Sequence, residues 1–231
     1  MPMKKIILIA CLLLAMTACG RQQVPETVPT TQPTTAAVTE PEPTQEPEGD
    51  PYGEVLDAYA TALEEGWGVE KYMEANMNYL PGLLGDPALV GYCLADLDMD
   101  ESPELLIGGV EDSQIYAMYT MTPTGLELAL RGSERSTYWL VSDGAFFNRG
   151  SNGASCTGYN FYTFYDGQLH FQDALIYDAG ADPENPWFYA MDEDWDVSND
   201  LPYGTGDAEA HIQMIEASLV ELTYTPFSEY R

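Results

Sequence analysis

Between two apolar runs, Gly91-Tyr92-Cys93-Leu94-Ala95 and Leu105-Leu106-Ile107-Gly108-Gly109, stands Asp96-Leu97-Asp98-Met99-Asp100-Glu101-Ser102-Pro103-Glu104, five carboxylates in nine residues. No Lys or Arg lies between Lys71 and Arg131, so no residue nearby in sequence neutralises them. Unpaired charge cannot be carried into an apolar interior without a partner. The segment must therefore be a turn whose charge is met by water, a proton or a cation, and the flanking runs must be the elements that it joins.

Those runs open a region of period two. From Val90 onward, short β-rich runs meet at turn signals: the acidic loop itself, Pro123-Thr124-Gly125, Asp143-Gly144 and Asp166-Gly167. Four hairpins follow, pairing Ala88 to Ala95 with Glu104 to Gly108, Ile115 to Met121 with Leu126 to Leu130, Tyr138 to Val141 with Ala145 to Asn148, and Asn160 to Tyr165 with Gln168 to Ile176. Before them, Val55, Leu56, Tyr59 and Leu63 share a helical face that starts behind Asp50-Pro51 and stops at Gly66. A second helical stretch runs from Val69 through Tyr72, Met73, Met77 and Leu80 to Pro81-Gly82. After Ala179 the pattern breaks at Pro183 and Pro186; a last helix is expected near Asp207, with Leu219 to Tyr224 as an edge strand. The fold class is α+β: an antiparallel β-meander of about eight strands, a curved sheet or small sandwich, with helices at its N- and C-terminal ends.

Residues 1–19 read as an export leader, with Lys4 and Lys5 ahead of an apolar run, Ile6 to Met16, too short to span a bilayer comfortably. The leader ends in Met16-Thr17-Ala18-Cys19, which resembles a bacterial lipobox. That resemblance implies cleavage before Cys19 and attachment of a diacylglyceryl anchor to its thiol, leaving the protein on the cell membrane and facing outward. Residues 20–50, with six Pro and seven Thr but no aromatic residue, Leu or Ile, read as a disordered tether. Fully extended at roughly 3.1 Å per residue, it reaches up to about 90 Å. Residues 51–231 form the single acidic domain, with five basic residues against 32 acidic ones and a formal charge of −27 out of −30 for the whole chain. Such a balance argues against nucleic acid and against an anionic membrane face, since both require counterion-releasing Lys or Arg. The membrane is thus a partner through the lipid alone. An oxidising exterior permits a disulfide between Cys93 and Cys156, which also suit small apolar slots in strands.

In the acidic loop the carboxylates fall at positions one, three, five and nine, with Ser102 at seven able to offer a carbonyl. This all-oxygen set suits a hard cation such as Ca²⁺. The loop resembles the Asp-x-Asp-x-Asp-Gly-x-x-Asp/Glu loops of FG-GAP-like repeats, in which a strand, a calcium loop and a second strand follow directly. The resemblance implies Asp96, Asp98, Asp100 and Glu104 as side-chain ligands, with Ser102 through its backbone. It also places Glu101 where Gly is usual, predicting a non-Gly residue at positive φ at a cost of about 1 kcal/mol. Asp192, Asp194, Asp196, Ser198 and Asp200 repeat the spacing, with Val197 at position six, a poor residue for a left-handed turn. Beside Trp187 and Trp195 those acids alternatively form one face of a strand, and a structural or solvated role is the simpler expectation.

Arg131, Arg135 and Arg149 are expected as internal partners for carboxylates. Neither a phosphate loop nor a Gly-x-Ser-x-Gly elbow is present, and two histidines make no zinc cluster. Leader, tether, paired helices, the Asp-x-Asp loop and the closing Tyr224-Thr225-Pro226-Phe227 together resemble lipoproteins of Gram-positive anaerobes, a likeness that supplies no activity. The function expected is a non-catalytic, calcium-stabilised module that binds an extracellular glycan or protein through an aromatic-rich sheet surface formed by residues such as Tyr159, Phe161, Tyr162, Phe164 and Tyr165. Two alternatives stand beside it: a carboxylate-based extracellular hydrolase acting on glycan, and an envelope inhibitor or assembly protein.

Overall fold

The computed structural model describes residues 50–80, 85–141 and 144–231. Cys19, the leader, the tether, Pro81-Gly82 and Asp143 lie outside the described residues. The chain divides into Met1–Thr44 and Gln45–Arg231, and the second unit holds everything below.

Helix α1 (Gly53–Glu65) buries Leu56, Tyr59, Ala62 and Leu63 at the expected spacing and ends at Gly66, whose φ of 63° is the left-handed conformation that glycine adopts without strain. Asp50 does not cap it. Its Oδ1 instead accepts the Tyr52 N–H at 3.0 Å one turn earlier, and the N-cap position falls to Tyr52 with no side-chain cap. Helix α2 (Val69–Glu74) is shorter than its apolar period predicts. Asn76 turns to a φ of 53°, and the N–H groups of Asn76 and Met77 bond the carbonyls of Met73 and Tyr72. This is a Schellman ending with Asn in the glycine position. Met77 and Leu80 are buried as expected, but from a non-helical segment.

Among the described residues, eleven strands, all paired antiparallel, make one sheet: β1 (Val90–Ala95), β2 (Glu104–Gly109), β3 (Ile115–Thr122), β4 (Gly125–Arg131), β5 (Ser136–Leu140), β6 (Ala145–Ser151), β7 (Cys156–Tyr165), β8 (Gln168–Asp178), β9 (Trp187–Ala190), β10 (Leu201–Pro202) and β11 (Thr225–Pro226). The four hairpins stand where the turn signals place them. The count of eight fails on three short strands. β9 lies just past Pro183 and Pro186, where the pattern breaks, while β10 and β11 have two residues each, too few for any period to register. Leu219 to Tyr224 is not the edge strand. Leu219 makes a single bridge to Val141, and the chain pairs with β1 only at Thr225–Pro226.

The sheet branches at β3, whose first residue Ile115 pairs with Tyr138 of β5 while Ala117 to Thr122 pair with β4. β2 occupies the other edge of β3. This branching lets the sheet curl. One face of β1–β4 packs under α1, α2 and Phe227 through Tyr59, Val90, Leu105, Ile107 and Tyr119. The opposite face sets Leu106, Met118 and Leu130 against Phe146, Tyr162 and Phe164. Helix α3 (Thr205–Glu216) starts near the expected point, with Gly204 rather than Asp207 at its N-cap, and Asp207 in the first turn where the helix dipole favours it. It covers Leu175 and Trp187 with Ala208 and Ile212. Among the described residues, no helix is long and apolar enough to cross a membrane.

The C-terminal segment closes the curl by laying Tyr224 across β1 and β2. At Gly108, where the β2–β3 register shifts, a Cβ would stand 2.2 Å from the Gln114 carbonyl oxygen and 2.3 Å from Tyr224 Oη. Backbone atoms cannot yield there as a flexible side chain would. Gly108→Ala is therefore expected to destabilise the domain by about 1–3 kcal/mol, read as a lower urea midpoint at unchanged slope.

Candidate metal centre and the Trp195 cleft

The acidic loop joins β1 to β2, and its geometry begins with Glu104. This first residue of β2 is only 1% exposed. Its Oε2 accepts the Leu97 N–H at 2.9 Å, and its Oε1 accepts the Thr120 hydroxyl at 3.1 Å. Burial pushes its carboxyl up; those two donors oppose the shift, and the charge of Asp98 adds to it. Asp96 turns the loop by accepting the N–H groups of Asp100 at 3.2 Å and Glu101 at 3.3 Å. Asp100 accepts the Ser102 N–H at 2.7 Å. The expected left-handed residue is present: Glu101 has a φ of 73°, and Met99 joins it at 61°.

Carboxylate oxygens of Asp96, Asp98 and Glu104 lie within 4.8 Å of one another, a group that can hold a metal ion. Asp98 Oδ1 is buried without a hydrogen-bond partner. Burial, then the charges of Asp100 and Asp96, raise the Asp98 carboxyl above the usual range. Each pair of charges at that separation repels by about 3 kcal/mol at an effective dielectric of 20. Three of the five expected ligands thus converge, while Asp100, its Oδ1 committed to the Ser102 N–H, stands outside the group. Thr120, which orients Glu104, and Tyr52, whose hydroxyl donates to the Pro103 carbonyl at 2.7 Å, carry no signal in the sequence because both come from distant elements. Burial, followed by the Glu104 charge, raises the Tyr52 hydroxyl to about 12, so it remains a donor.

The second acidic run, between β9 and β10, is a loop and not a strand face. Asp194 accepts the Asp196 N–H at 2.8 Å and Asp196 accepts the Ser198 N–H at 3.1 Å. The left-handed residue is Trp195, at a φ of 63°, while Val197 opens a short 3-10 turn, Val197–Asn199. Asp200 Oδ2 is buried and unpartnered; burial, then the charges of Asp192, Asp194 and Asp196, raise its carboxyl. Among the described residues, Asp96, Asp98 and Glu104 are the one group of three carboxylates that converges, so the acids of this loop gather no equivalent centre.

Instead, the loop delivers two side chains to the sheet. The Trp195 ring lies over Gly150 of β6 and Gly158 of β7, where a Cβ would come within 3.1 and 2.7 Å of Cη2. Glu193 Oε1 accepts the Tyr162 hydroxyl at 2.5 Å. Together with Tyr138, Asn148 and Asn160 these residues line a cleft of about 330 Å³.

Other expected residues fall elsewhere. Cys93 on β1 and Cys156 on β7 are free thiols in separate core clusters, with β2, β3, β5 and β6 between their strands, so the permitted disulfide is not formed. Arg131, Arg135 and Arg149 make no salt bridge among the described residues, where Lys71–Glu65 is the one ion pair. Arg131 donates to the Asn76 side chain and Arg149 sits 5.9 Å from the Tyr159 ring. Phe164 and Tyr162 point into the core, and Phe161 stacks on His211 of α3, so the aromatic run of β7 is packing and not a continuous open platform. Comparison with protein-family models, curated proteins and solved structures found no match.

In chelator, the raised carboxyls of Asp98 and Glu104 hold more protons in the folded chain than in the unfolded chain, between the ordinary carboxylate range and their raised values. Stability contributed by these groups therefore falls as pH rises through that window. Asp98→Asn is expected to flatten this fall, seen in thermal melts of the metal-free protein from about pH 4 to 7.

Proposed function

We propose that this chain is a lipid-anchored, outward-facing lipoprotein whose acidic domain is a non-catalytic binding module stabilised by Ca²⁺. The observation that carries the reading is the buried Asp98 Oδ1, left without a donor beside the Asp96 and Glu104 carboxylates. Three hard oxygen ligands on a strand-loop-strand frame suit a cation that tolerates irregular, water-completed coordination, which favours Ca²⁺ over the stricter octahedral demand of Mg²⁺. Asp96, Asp98 and Glu104 would hold it directly, with the free oxygen of Asp100 nearby. Bound there, the ion would supply charge neutralisation and set the register of the first hairpin.

The Met16-Thr17-Ala18-Cys19 lipobox supports the anchor, and the tether supports a domain held clear of the lipid surface. Against a hydrolase stands the committed state of the acids. Glu104 is buried with both oxygens bonded, and Asp194, Asp196 and Asp100 each spend an oxygen on backbone N–H groups. A binding role for an extracellular glycan or protein needs none of them free.

Calcium at a hundredfold excess over its Kd is expected to stabilise the folded domain by about 2.7 kcal/mol. For a domain of this size that is a rise in Tm of roughly 5–10 °C over chelator-treated protein. Asp98→Asn should remove most of the rise; equal melts with calcium and with chelator in the parent protein would refute the metal. Globomycin treatment of the producing cells, which blocks cleavage at a lipidated Cys, should retain the leader, and Cys19→Ser should release the domain from the membrane fraction.

A further inference from the structure

The cleft beneath Trp195 has a chemistry that the acidic loop does not explain. Its floor is formed by two amides that face each other across β6 and β7, in direct register as Asn148 and Asn160. Both are nearly fully buried, at 2% and 7% exposure. Asn148 Nδ2 donates to Ser136 Oγ at 2.9 Å and to the Thr137 carbonyl at 3.0 Å, and its Oδ1 accepts Asn160 Nδ2 at 2.8 Å. That chain of bonds fixes both side chains and leaves Asn160 Oδ1 accepting nothing among the described residues. Lining the cleft, that oxygen is an acceptor held in position for a donor that enters it.

The walls complement it. Trp195 lies over Gly150 and Gly158, and the space that a Gly158 Cβ would take is 2.7 Å from Trp195 Cη2 and 3.2 Å from Asn160 Oδ1. The indole edge therefore packs on Gly158 beside the open amide oxygen, and any side chain at position 158 would push the ring away. Trp195 Nε1 donates to no described residue. Glu193 spends Oε1 on the Tyr162 hydroxyl and keeps Oε2 as a charged acceptor. Arg135 stands at the rim.

We infer that this cleft binds one ring of a neutral sugar. Its volume of about 330 Å³ is at the small end of ligand sites, sized for a single pyranoside ring and not for an extended chain. A pyranoside offers hydroxyl donors to Asn160 Oδ1 and Glu193 Oε2, hydroxyl acceptors to Trp195 Nε1 and Arg135, and an apolar C–H face to the indole. Anions are disfavoured by Glu193 and by the formal charge of −27 on residues 51–231. A quaternary ammonium would want an aromatic box, whereas here the floor is amide and the rim carries a guanidinium. The assignment gives the binding module of the preceding section a ligand class and a place, resting on that reading for the extracellular setting alone.

The test is titration of the full chain in detergent with the methyl glycosides of glucose, galactose, mannose, xylose and N-acetylglucosamine, and with oligosaccharides ending in each. Glucuronate, inorganic phosphate and tetramethylammonium serve as charged controls, and heat and tryptophan fluorescence are the readouts. At least one neutral sugar is expected to bind saturably and to change the fluorescence, with Trp195→Ala abolishing the spectral change. Glu193→Gln, an exposed position that should leave the melt intact, is expected to weaken binding by about tenfold or more, the loss typical of a charge-assisted hydrogen bond. No binding by any neutral sugar overturns the inference, as does undiminished binding in both variants or a preference for a charged control. The melts with and without calcium are run on the same samples. A calcium shift without sugar binding refutes this site and leaves the metal reading standing; sugar binding without a calcium shift does the reverse.

Discussion

Glu104 is a carboxylate carried into the interior of a domain that is already strongly acidic, at the head of a strand whose six residues are all buried. Among the described residues, no cationic side chain pairs with it. Its two oxygens are bonded instead to the Leu97 N–H, from the loop that it closes, and to the Thr120 hydroxyl on β3. Those bonds tie the acidic turn to the middle of the sheet, and the turn is tied in turn to α1 through Tyr52 and Pro103. The loop is thus built into the frame on three sides. Its remaining freedom is electrostatic: Asp96 and Asp98 face Glu104 with one buried oxygen unanswered, which is why a cation or protons must enter the account of stability.

The two acidic loops have the same spacing and reach different ends because of the strands beneath them. In the first, Glu104 pairs with Ala95, directly before Asp96, so positions one and nine close on each other. In the second, Leu201 pairs with Tyr189, and one further step of that register sets Asp200 opposite Ala190, two residues before Asp192. The second loop is one residue wider. Moreover, it closes on β10, a two-residue exposed strand, where the first closes on the buried β2. Carboxylates that converge above a packed hairpin therefore splay above an edge, and the wider loop has the reach to set Trp195 and Glu193 over β6 and β7.

Much of the fold was legible wherever period and turn chemistry act locally. Gly66, Pro123-Thr124-Gly125 and Asp166-Gly167 mark ends that the structure keeps, and α1 has the face that its spacing sets. Most of the misses were decided by distant contacts, and the end of α2 by a local left-handed turn. Apolar residues through Leu80 extend the pattern of α2, but Asn76 ends the helix and the same side chains are buried from a turn. The strands β9, β10 and β11 exist because β8, β9 and β1 respectively offer free edges, a condition that four or two residues cannot announce. For the site, the triad was within the residues expected, and even the positive φ of Glu101 was readable from the place of glycine in the resembling loops. Thr120, Asn148 and Asn160 were not, since each is an ordinary polar residue in a strand until its cross-sheet neighbour is known.

The Trp195 cleft shows how the curl of the sheet and the acidic loops belong to one design. β7 alternates cleanly, with Cys156, Gly158, Asn160, Tyr162 and Phe164 buried on one side. Along that side the residues pass from apolar packing at Phe164, through the Tyr162–Glu193 bond, to an amide and then a glycine. The core therefore thins into a polar floor within three positions of a single strand. Two glycines there cost packing, and the indole of Trp195 restores it from outside, held by a backbone conformation that few non-Gly residues adopt. Strain of that kind persists only where surrounding structure over-determines it, and here the Asp194 and Asp196 turns on either side do so. The second acidic run thus acts as a mount for an aromatic side chain, while the first secures the hairpin on which the sheet is built.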